Sequence, residues 1–385
     1  MKVKHILLLL SILPICACTN REISEKSVQF NLDENPVSLA QSGAIKGYEV
    51  IKLETRQESI IGPIKKVIFG DNKIFILGDS PSQAVFIYDM EGHFINKISR
   101  RGNGENEYAR LADICYDKQT NSLILLAHIP SRLFVYDTKG ETLKQSLTLD
   151  RSFVKIETDG KSFMAYQGNV TQGDDKNNVC KLSKDGKIED SWFPINEKWE
   201  SVNKDDVYPL SCSVNKRIYF MEPFHRTVYS YDKAAFLPLF SLDFGTHNCP
   251  EQYVESYEEY DKNKNQDYVY DIRAFYETKN YWLFYFIYKG QAHFCVENKQ
   301  TGETFYTAAD KDQEKYFLPF GNFVSFDSNR FVTFIEAVNM DFYLTGKNQY
   351  NDVRDKYAEA IQRLNERVGK VSPEDNPLLL IFELN

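Results

Sequence analysis

Residues 84–140 decide the fold, and they read AVFIYDMEGHFINKISRRGNGENEYARLADICYDKQTNSLILLAHIPSRLFVYDTKG. The motif YDxxG occurs twice in this stretch, first at 88–92 and then 48 residues later at 136–140. A repeat of roughly 40–50 residues is typical of a solenoid or of a β-propeller. The glycine spacing continues with Gly186, which follows Gly140 by 46 residues.

The residues inside each repeat distinguish the two architectures. Val85, Ile87, Leu133 and Val135 lie in short runs of β-branched and aromatic residues that are bounded by turn formers, which is a strand pattern. Helical spacing is absent from the repeats, which argues against a helical solenoid. Four runs per repeat predict a four-stranded antiparallel propeller blade. In the first repeat the runs are 63–69, 73–78, 84–89 and 93–98.

The same pattern predicts further blades along the chain, although it is weaker in the third. The sixth repeat lacks a fourth strand, and the strand-like segment 48–55 has no blade of its own. Pairing 48–55 with 377–384 would close the ring and remove two exposed edges. The expected strands are 152–158, 162–167, 178–183 and 187–192; 207–214, 217–221, 226–231 and 236–243; 269–276, 280–287, 291–297 and 303–309; and 320–326, 329–335 and 377–384.

The amino terminus resembles a bacterial lipoprotein signal. Lys2 and Lys4 precede the apolar segment 6–15, which is too short to span a membrane and fits a secretory signal. We therefore predict a signal peptide at 1–17 and lipid on Cys18, with an ordinary cleaved signal as the alternative. Residues 18–46 are predicted to form a polar tether with a short strand at 28–32.

Composition supports one exported β domain over 47–385. Aromatic residues make up 14% of the chain, and the net charge of −9 argues against nucleic-acid binding, which needs clustered basic residues. No cysteine spacing indicates a zinc site. The cysteines beyond Cys18 are expected to be small buried residues, and the sequence leaves disulfide pairing among them open; they are Cys115, Cys180, Cys212, Cys249 and Cys295.

The longest connections are all predicted on one face of the ring. They are the links between blades and the links from the second to the third strand of a blade, which emerge on the same side in an antiparallel blade. Long loops on a rigid fold are where binding usually occurs. The residues expected to line this face are Arg100, Arg101, Glu105, Tyr108, His128, Arg132, His225, Arg226, Tyr257 and Tyr260.

Two segments on that face have their own patterns. Residues 351–368 show an apolar stripe at helical spacing and predict one inserted helix, which packs on the ring or, alternatively, binds a partner. The loop 251–270 combines tyrosines with acidic residues. Such a surface suits a glycan or a peptide, and a solvated mobile loop is the alternative.

The run RGNGENEY at 101–108, followed by RLFVYDxxG at 132–140, resembles the NHL repeat pattern. The chain from 47 to 385 is similar to six-bladed β-propeller lipoproteins of that broad group. The resemblance implies an envelope protein anchored by lipid to the outer membrane of a Gram-negative bacterium. It leaves open whether the protein faces the periplasm or the cell surface, and it implies no catalytic motif.

Two functions from different classes follow. The first is a non-enzymatic envelope protein that binds a peptide, a glycan or a protein partner on the loop-rich face. The alternative is a propeller enzyme, a lyase or lactone hydrolase, with a divalent cation held on the ring axis by oxygen ligands. Its candidate ligands are Asp113, Glu157 and Asp271. No catalytic residue is assigned in the first hypothesis.

Overall fold

A computed structural model gives the fold for most of the chain. It describes residues 26–37, 42–173, 176–199, 208–213, 215–307, 323–327, 329–340 and 351–385. The predicted signal peptide and Cys18 lie outside these residues.

The predicted six-bladed β-propeller is confirmed. The strands form six antiparallel blades of four strands, and one blade carries a fifth strand at its outer edge. Blades one to three contain β3 to β14, as Ile64–Gly70, Lys73–Gly78, Val85–Asp89 and Phe94–Ile98; Arg110–Asp117, Ser122–Ile129, Arg132–Tyr136 and Leu143–Thr148; and Lys155–Thr158, Phe163–Tyr166, Asn177–Leu182 and Ile188–Pro194.

The remaining blades complete the ring. Blades four and five contain β15 to β22, as Leu210–Cys212, Ile218–Met221, Thr227–Asp232 and Ala235–Asp243; and Asp271–Glu277, Tyr281–Tyr288, Gln291–Asn298 and Thr304–Tyr306. Blade six contains β23 (Phe323–Asp327), β24 (Arg330–Ile335), β25 (Leu378–Leu384) and the amino-terminal strand β2 (Ile45–Lys52). The ring is therefore closed by strands from both ends of the chain, as the strand count predicts. The closing strand begins three residues earlier than expected.

The first strand of each blade lines the ring axis, because the first strands of neighbouring blades contact one another. Each first strand runs from the face that carries the links between blades to the face that carries the hairpin turns. We call these the loop face and the turn face. Links from the second to the third strand also emerge on the loop face.

The repeated YDxxG motif is the hairpin turn between the third and fourth strands. The Asp89 carboxylate accepts hydrogen bonds from the backbone N–H groups of Glu91 and His93. Gly92 has φ of 90°, and a Cβ there would lie 2.5 Å from the carbonyl oxygen of Lys52 on the neighbouring blade. The motif is therefore a turn that also permits close packing between blades.

Apolar side chains between neighbouring blades form the core. The cluster between blades one and two is typical, with Phe75, Phe134 and Tyr136 fully buried in it. Many of the aromatic residues of the chain lie in these clusters between blades. Four of the five cysteines are buried and Cys212 is half-buried, and all five are free thiols.

The predicted tether is wrong for residues 26–37, which fold onto the ring. Strand β1 (Lys26–Gln29) pairs in parallel with β18 at the edge of blade four. Val28, Phe30 and Leu32 then bury their side chains between blades four and five. We call residues 26–37 the strap. Its alternating apolar residues supply this burial, although its overall composition is polar.

His247 fixes the far end of the strap. Its Nε2 lies 3.0 Å from the Asp33 carboxylate, and its Nδ1 lies 3.2 Å from the backbone carbonyl of Asp267. Burial would lower the pKa of His247, but these hydrogen bonds outweigh burial and raise the pKa above its usual value. A protonated His247 therefore holds the strap more firmly than a neutral one.

This contact predicts a pH-dependent stability. Because the folded pKa of His247 is raised, its contribution is complete below the unfolded value of about 6.5 and is lost as pH rises through the folded pKa. We expect the melting midpoint to fall by roughly 1–3 °C more in the wild type than in Asp33→Asn between pH 6 and pH 8.5. Asp150→Asn, at an exposed site, should behave like the wild type. Identical pH profiles for Asp33→Asn and the wild type would contradict the assignment.

The structure contains the predicted helix and another that the sequence did not predict. Helix α2 spans Asn351–Val368, and Leu364 on its apolar stripe is buried against the ring. Helix α1 spans Tyr257–Asn263 within the segment predicted to be a loop. The Ser256 side chain caps α1 by accepting a hydrogen bond from the backbone N–H of Glu259.

Candidate functional site

The predicted loop-face residues fall into three groups: the link between blades one and two, the loop of blade two, and the connections around blade four. Tyr108, in the first group, is buried and does not lie on the surface. Its side chain is 1% exposed, and its hydroxyl donates to the backbone carbonyl of Ile98 at 3.2 Å. The tyrosine thus packs between blades one and two and has no exposed surface for a ligand. The Tyr108 ring fills space in the core between the blades. The sequence pattern could not distinguish this packing role from a role in ligand binding.

The link between blades one and two is exposed around Tyr108. Arg100, Arg101 and Glu105 all have exposed side chains. The Arg101 guanidinium donates to the backbone carbonyl of Pro81 at 2.9 Å, which ties the link to the neighbouring loop. Arg100 and Glu105 remain candidate contact residues.

His128 and Arg132 flank the corresponding loop of blade two. Both are half-buried. Nε and Nη1 of Arg132 are buried without a hydrogen bond in the described structure. His128 and Arg132 lie on blade two. The candidates not yet described lie around blade four, and they are His225, Arg226, Tyr257 and Tyr260.

The loop between the second and third strands of blade four carries two of the candidates, Arg226 with a structural role and His225 with an exposed side chain. The Arg226 guanidinium donates to the Leu242 carbonyl at 2.8 Å and to Oδ1 of Asn248 at 2.9 Å, so it holds two loops together. His225 is exposed. Its ring lies 3.8 Å from the carboxylate of Glu222, and burial raises the pKa of that acid.

Tyr257 and Tyr260 extend from α1 into an aromatic cluster that joins three connections. Trp199, from the link between blades three and four, stacks on Phe224 with ring centroids 4.2 Å apart. Tyr260 packs against Phe224 at 4.9 Å, and Tyr257 meets Trp199 at 6.0 Å with 43% of its surface exposed. We call Trp199, Phe224, Tyr257 and Tyr260 the aromatic platform. Sequence reasoning missed Trp199 and Phe224.

The three candidate axial acids, Asp113, Glu157 and Asp271, form ion pairs with basic side chains. Nζ of Lys66 lies 3.0 Å from Asp113 and 3.2 Å from Glu157. Asp271 instead pairs with Arg273 at 2.8 Å. The three expected metal ligands therefore do not converge on one point, because Asp113 and Glu157 share the Lys66 ammonium and Asp271 pairs separately with Arg273.

Lys66 remains charged although it is buried. Burial alone would lower its pKa, but the carboxylates of Asp113 and Glu157 outweigh burial and raise the pKa well above its usual value. Asp113 also accepts hydrogen bonds from the backbone N–H groups of Ile114 and Ile156. The axis is thus held by a buried ionic network that links blades one, two and three.

Tyr208 closes the axis on the loop-face side of this network. Its hydroxyl donates to the backbone carbonyl of Lys65 at 3.0 Å, which joins blade four to the opposite blade one. Nζ of Lys155 lies 4.3 Å from the centroid of the Tyr208 ring. The Tyr208 side chain therefore crosses the axis at this level.

A cavity of about 680 Å³ lies beneath Tyr208 and Lys66 and opens on the turn face. Its walls carry phenols, hydroxyls and thiols, and its mouth is formed by hairpin turns. Burial raises the pKa of the Cys115 thiol well above its usual value, so that thiol is not a ready nucleophile. Residues at its floor, wall and mouth include Lys66, Glu157, Tyr116, Tyr276, Thr158, Ser211, Cys212, Lys118, Lys216 and Arg330.

Within the described residues, the only His, Cys, Asp and Glu side chains close enough to share a metal ion are Asp89, Glu91 and His93. They lie in an outer hairpin turn, away from the axis. Since the Asp89 carboxylate already accepts two backbone hydrogen bonds of that turn, the cluster has a structural explanation.

Residues 27–383 match the family described as "Domain of unknown function (DUF4934)". The chain belongs to the DUF4934 family. The matched range begins inside the strap and ends in β25, so this DUF4934 unit includes both strands that the amino-terminal segment adds to the ring. No curated protein matches the sequence.

Two solved structures with a similar fold come from species of Bacteroides. A candidate exported protein of Bacteroides fragilis shares 14% identity with this DUF4934 chain at a TM-score of 0.72, covering 93% of this chain and 99% of that one. A member of the DUF4221 family from Bacteroides vulgatus shares 10% identity at a TM-score of 0.53, covering 89% and 97%. At these identities the likeness shows the propeller fold alone.

The described part of this DUF4934 chain includes no helix that is both long and apolar enough to cross a bilayer.

Proposed function

We propose that this protein is an exported envelope protein that binds a peptide, a glycan or a protein partner on its loop face. One observation carries the proposal: the aromatic platform joins three long connections into one fixed surface. Loops that contribute to binding gain affinity when they are ordered before the partner arrives. The likeness to an exported protein of Bacteroides fragilis supports export, and the signal-like sequence before Cys18 supports a lipid anchor.

The platform offers a defined contact surface. Tyr257 is 43% exposed on α1, and His225 is exposed on the loop of blade four, next in sequence to Phe224. Trp199 packs against Tyr257, Phe224 packs against Tyr260, and the Trp199 indole N–H donates to the Val254 carbonyl at 2.9 Å. A rigid aromatic residue at the surface is a common centre of binding energy.

The alternative, an enzyme with a divalent cation on the axis, gains no support from the axial geometry. A cation at the carboxylates of Asp113 and Glu157 would have to displace the Lys66 ammonium from both. Binding on the loop face is therefore the better proposal.

We expect Tyr257→Ala and His225→Ala together to weaken partner binding at least tenfold, because a central aromatic contact is worth about 2 kcal/mol. Photocrosslinking from position 257 in the native host, together with a glycan array, would identify the partner. Equilibrium binding of that partner by wild type and variant would then give the ratio. Lys139→Ala, on an exposed hairpin of the turn face, is the matched control.

Wild-type affinity of the double variant for an identified partner would exclude the platform as the binding surface. Crosslinks that form equally from position 139 would point to the turn face instead.

A further inference from the structure

The cavity on the turn face is a second, independent place where a ligand could bind. It lies on the opposite side of the ring from the loop face, and Tyr208 separates the two sides. Its volume of about 680 Å³ falls within the usual range for small-molecule sites.

The floor of the cavity carries balanced charges. Lys66 and Glu157 are the charged residues that line the floor, where Nζ of Lys66 lies 3.2 Å from the Glu157 carboxylate and also contacts Asp113 behind it. The floor thus carries no excess of positive charge. Since these charges compensate one another locally, the floor attracts neither cations nor anions strongly.

The mouth, in contrast, carries an excess of positive charge. Lys118, Lys216 and Arg330 belong to the first hairpin turns of blades two, four and six, so they are spaced evenly around the opening. Lys118 and Lys216 are exposed, and no carboxylate of the described chain is in ion-pair contact with either. The Arg330 guanidinium lies over the Phe69 ring, 5.3 Å from its centroid, and it also interacts with the Glu383 carboxylate opposite it on β25. Lys118 and Lys216 therefore supply most of the excess, and the three cations around one opening form a receptor for an acid group.

A fourth basic residue at the mouth does not add to this excess. Nζ of Lys73 lies 2.7 Å from the Asp71 carboxylate. That pairing lowers the pKa of Asp71, which keeps the acid ionised. The pair is therefore neutral in sum, and the excess comes from the other three.

The walls favour a polar body over an apolar one. Thr158, Ser211 and Ser213 supply hydroxyl groups, and Tyr116 and Tyr276 supply phenols. Aromatic side chains can lie against the faces of ring-shaped ligands, while hydroxyl groups exchange hydrogen bonds with ligand hydroxyls. Thr158 and Tyr116 already donate within the protein, to the Ser162 carbonyl and to Oδ1 of Asn121, and the Ser213 hydroxyl accepts from two backbone N–H groups. The walls therefore offer a ligand the Ser211 hydroxyl and the remaining acceptor positions of these oxygens.

We infer that the cavity binds a small polyhydroxylated organic acid, such as a sugar acid or a sugar phosphate. The acid group lies among Lys118, Lys216 and Arg330, and the hydroxylated body extends toward Thr158 and Ser211. The site is distinct from the loop face and does not depend on the proposed macromolecular partner.

Calorimetric titration of the purified chain with glucose, glucuronate and glucose 6-phosphate tests the inference, since the three probes share one body and differ in the acid group. We expect both acids to bind at least tenfold more tightly than glucose, and more weakly as salt concentration rises. The preferred acid shows whether a carboxylate or a phosphate is the better ligand. Lys118→Glu with Lys216→Glu should lower the affinity for both acids at least tenfold.

Lys139→Glu, on a hairpin of the same face but outside the mouth, should bind the acids like the wild type. The Tyr257→Ala variant of the loop face should do so too, which separates this test from that of the proposed function. Three results would overturn the inference: equal affinity for glucose and the acids, no binding of either acid up to about 10 mM, or wild-type affinity in a folded Lys118→Glu, Lys216→Glu double variant. The melting curve of each variant without ligand verifies folding.

Discussion

Replacing Lys66 with methionine should destabilise the propeller by about 3–5 kcal/mol, because it removes the cation from two buried carboxylates. The Lys66 side chain is 8% exposed and is the group that Asp113 and Glu157 share. Chemical denaturation of the wild type and the variant would measure the loss. Lys65→Met, at the neighbouring half-exposed position, should change the unfolding free energy by less than about 1 kcal/mol.

The same variant should respond to pH in a defined direction. Without the ammonium, burial and mutual repulsion would disfavour the charged forms of the two carboxyl groups in the folded state. Protonation then favours the folded state, so the deficit of Lys66→Met should shrink as pH falls toward about 5. Adding Asp113→Asn and Glu157→Gln should recover part of the loss at pH 7. A Lys66→Met protein as stable as the wild type at pH 7 would refute the assigned role.

Replacing Asn376 with alanine should cost about 2–4 kcal/mol, since several buried backbone groups would lose their hydrogen bonds. Its Nδ2 donates to the carbonyls of Glu54 and Ser59, at 3.0 and 2.9 Å, and its Oδ1 accepts from the backbone N–H of Ile61 at 3.1 Å. Asn376 precedes β25 and is 3% exposed, so its side chain joins the last blade to the first.

Asn376→Asp should cost at least as much as Asn376→Ala. A carboxylate would place negative charge against the two carbonyl oxygens that now accept from the amide. Asn365→Ala, on the exposed side of α2, is the control and should be nearly neutral. Unfolding midpoints in denaturant would rank the variants, and an Asn376→Ala protein within 0.5 kcal/mol of the control, roughly the measurement scatter, would show that the ring closes without this side chain.

The YDxxG motif and Lys66 show which features of the fold could be predicted from the sequence and which could not. The YDxxG period predicted the blades and the closing strand because a turn that needs Asp89 and Gly92 has a local signature. Lys66 has none, since a lysine in a strand normally indicates a solvated face. Its burial depends on which side of β3 faces the axis and on acids 47 and 91 residues further along the chain.

The candidate site was predictable only in part, for a related reason. Insertion length directs attention to the loop face, and three of its connections do meet at Trp199 and Phe224. The cavity on the turn face is instead formed by short hairpins that differ little in length from ordinary turns. Nothing in their spacing indicates that Lys118 and Lys216 surround one opening, because that requires the order of blades around the ring.

The parallel pairing of β1 with β18 has a consequence for how the propeller would be oriented at a membrane. Strand β18 runs toward the loop face, so the chain enters β1 from the direction of the turn face. Under the proposed lipid on Cys18, the stretch from there to Lys26 reaches at most roughly 30 Å. The turn face would then lie toward the lipid headgroups, and the loop face with its aromatic platform would point away from them. Small solutes near the bilayer would enter the cavity through the turn face, while large molecules would approach the loop face.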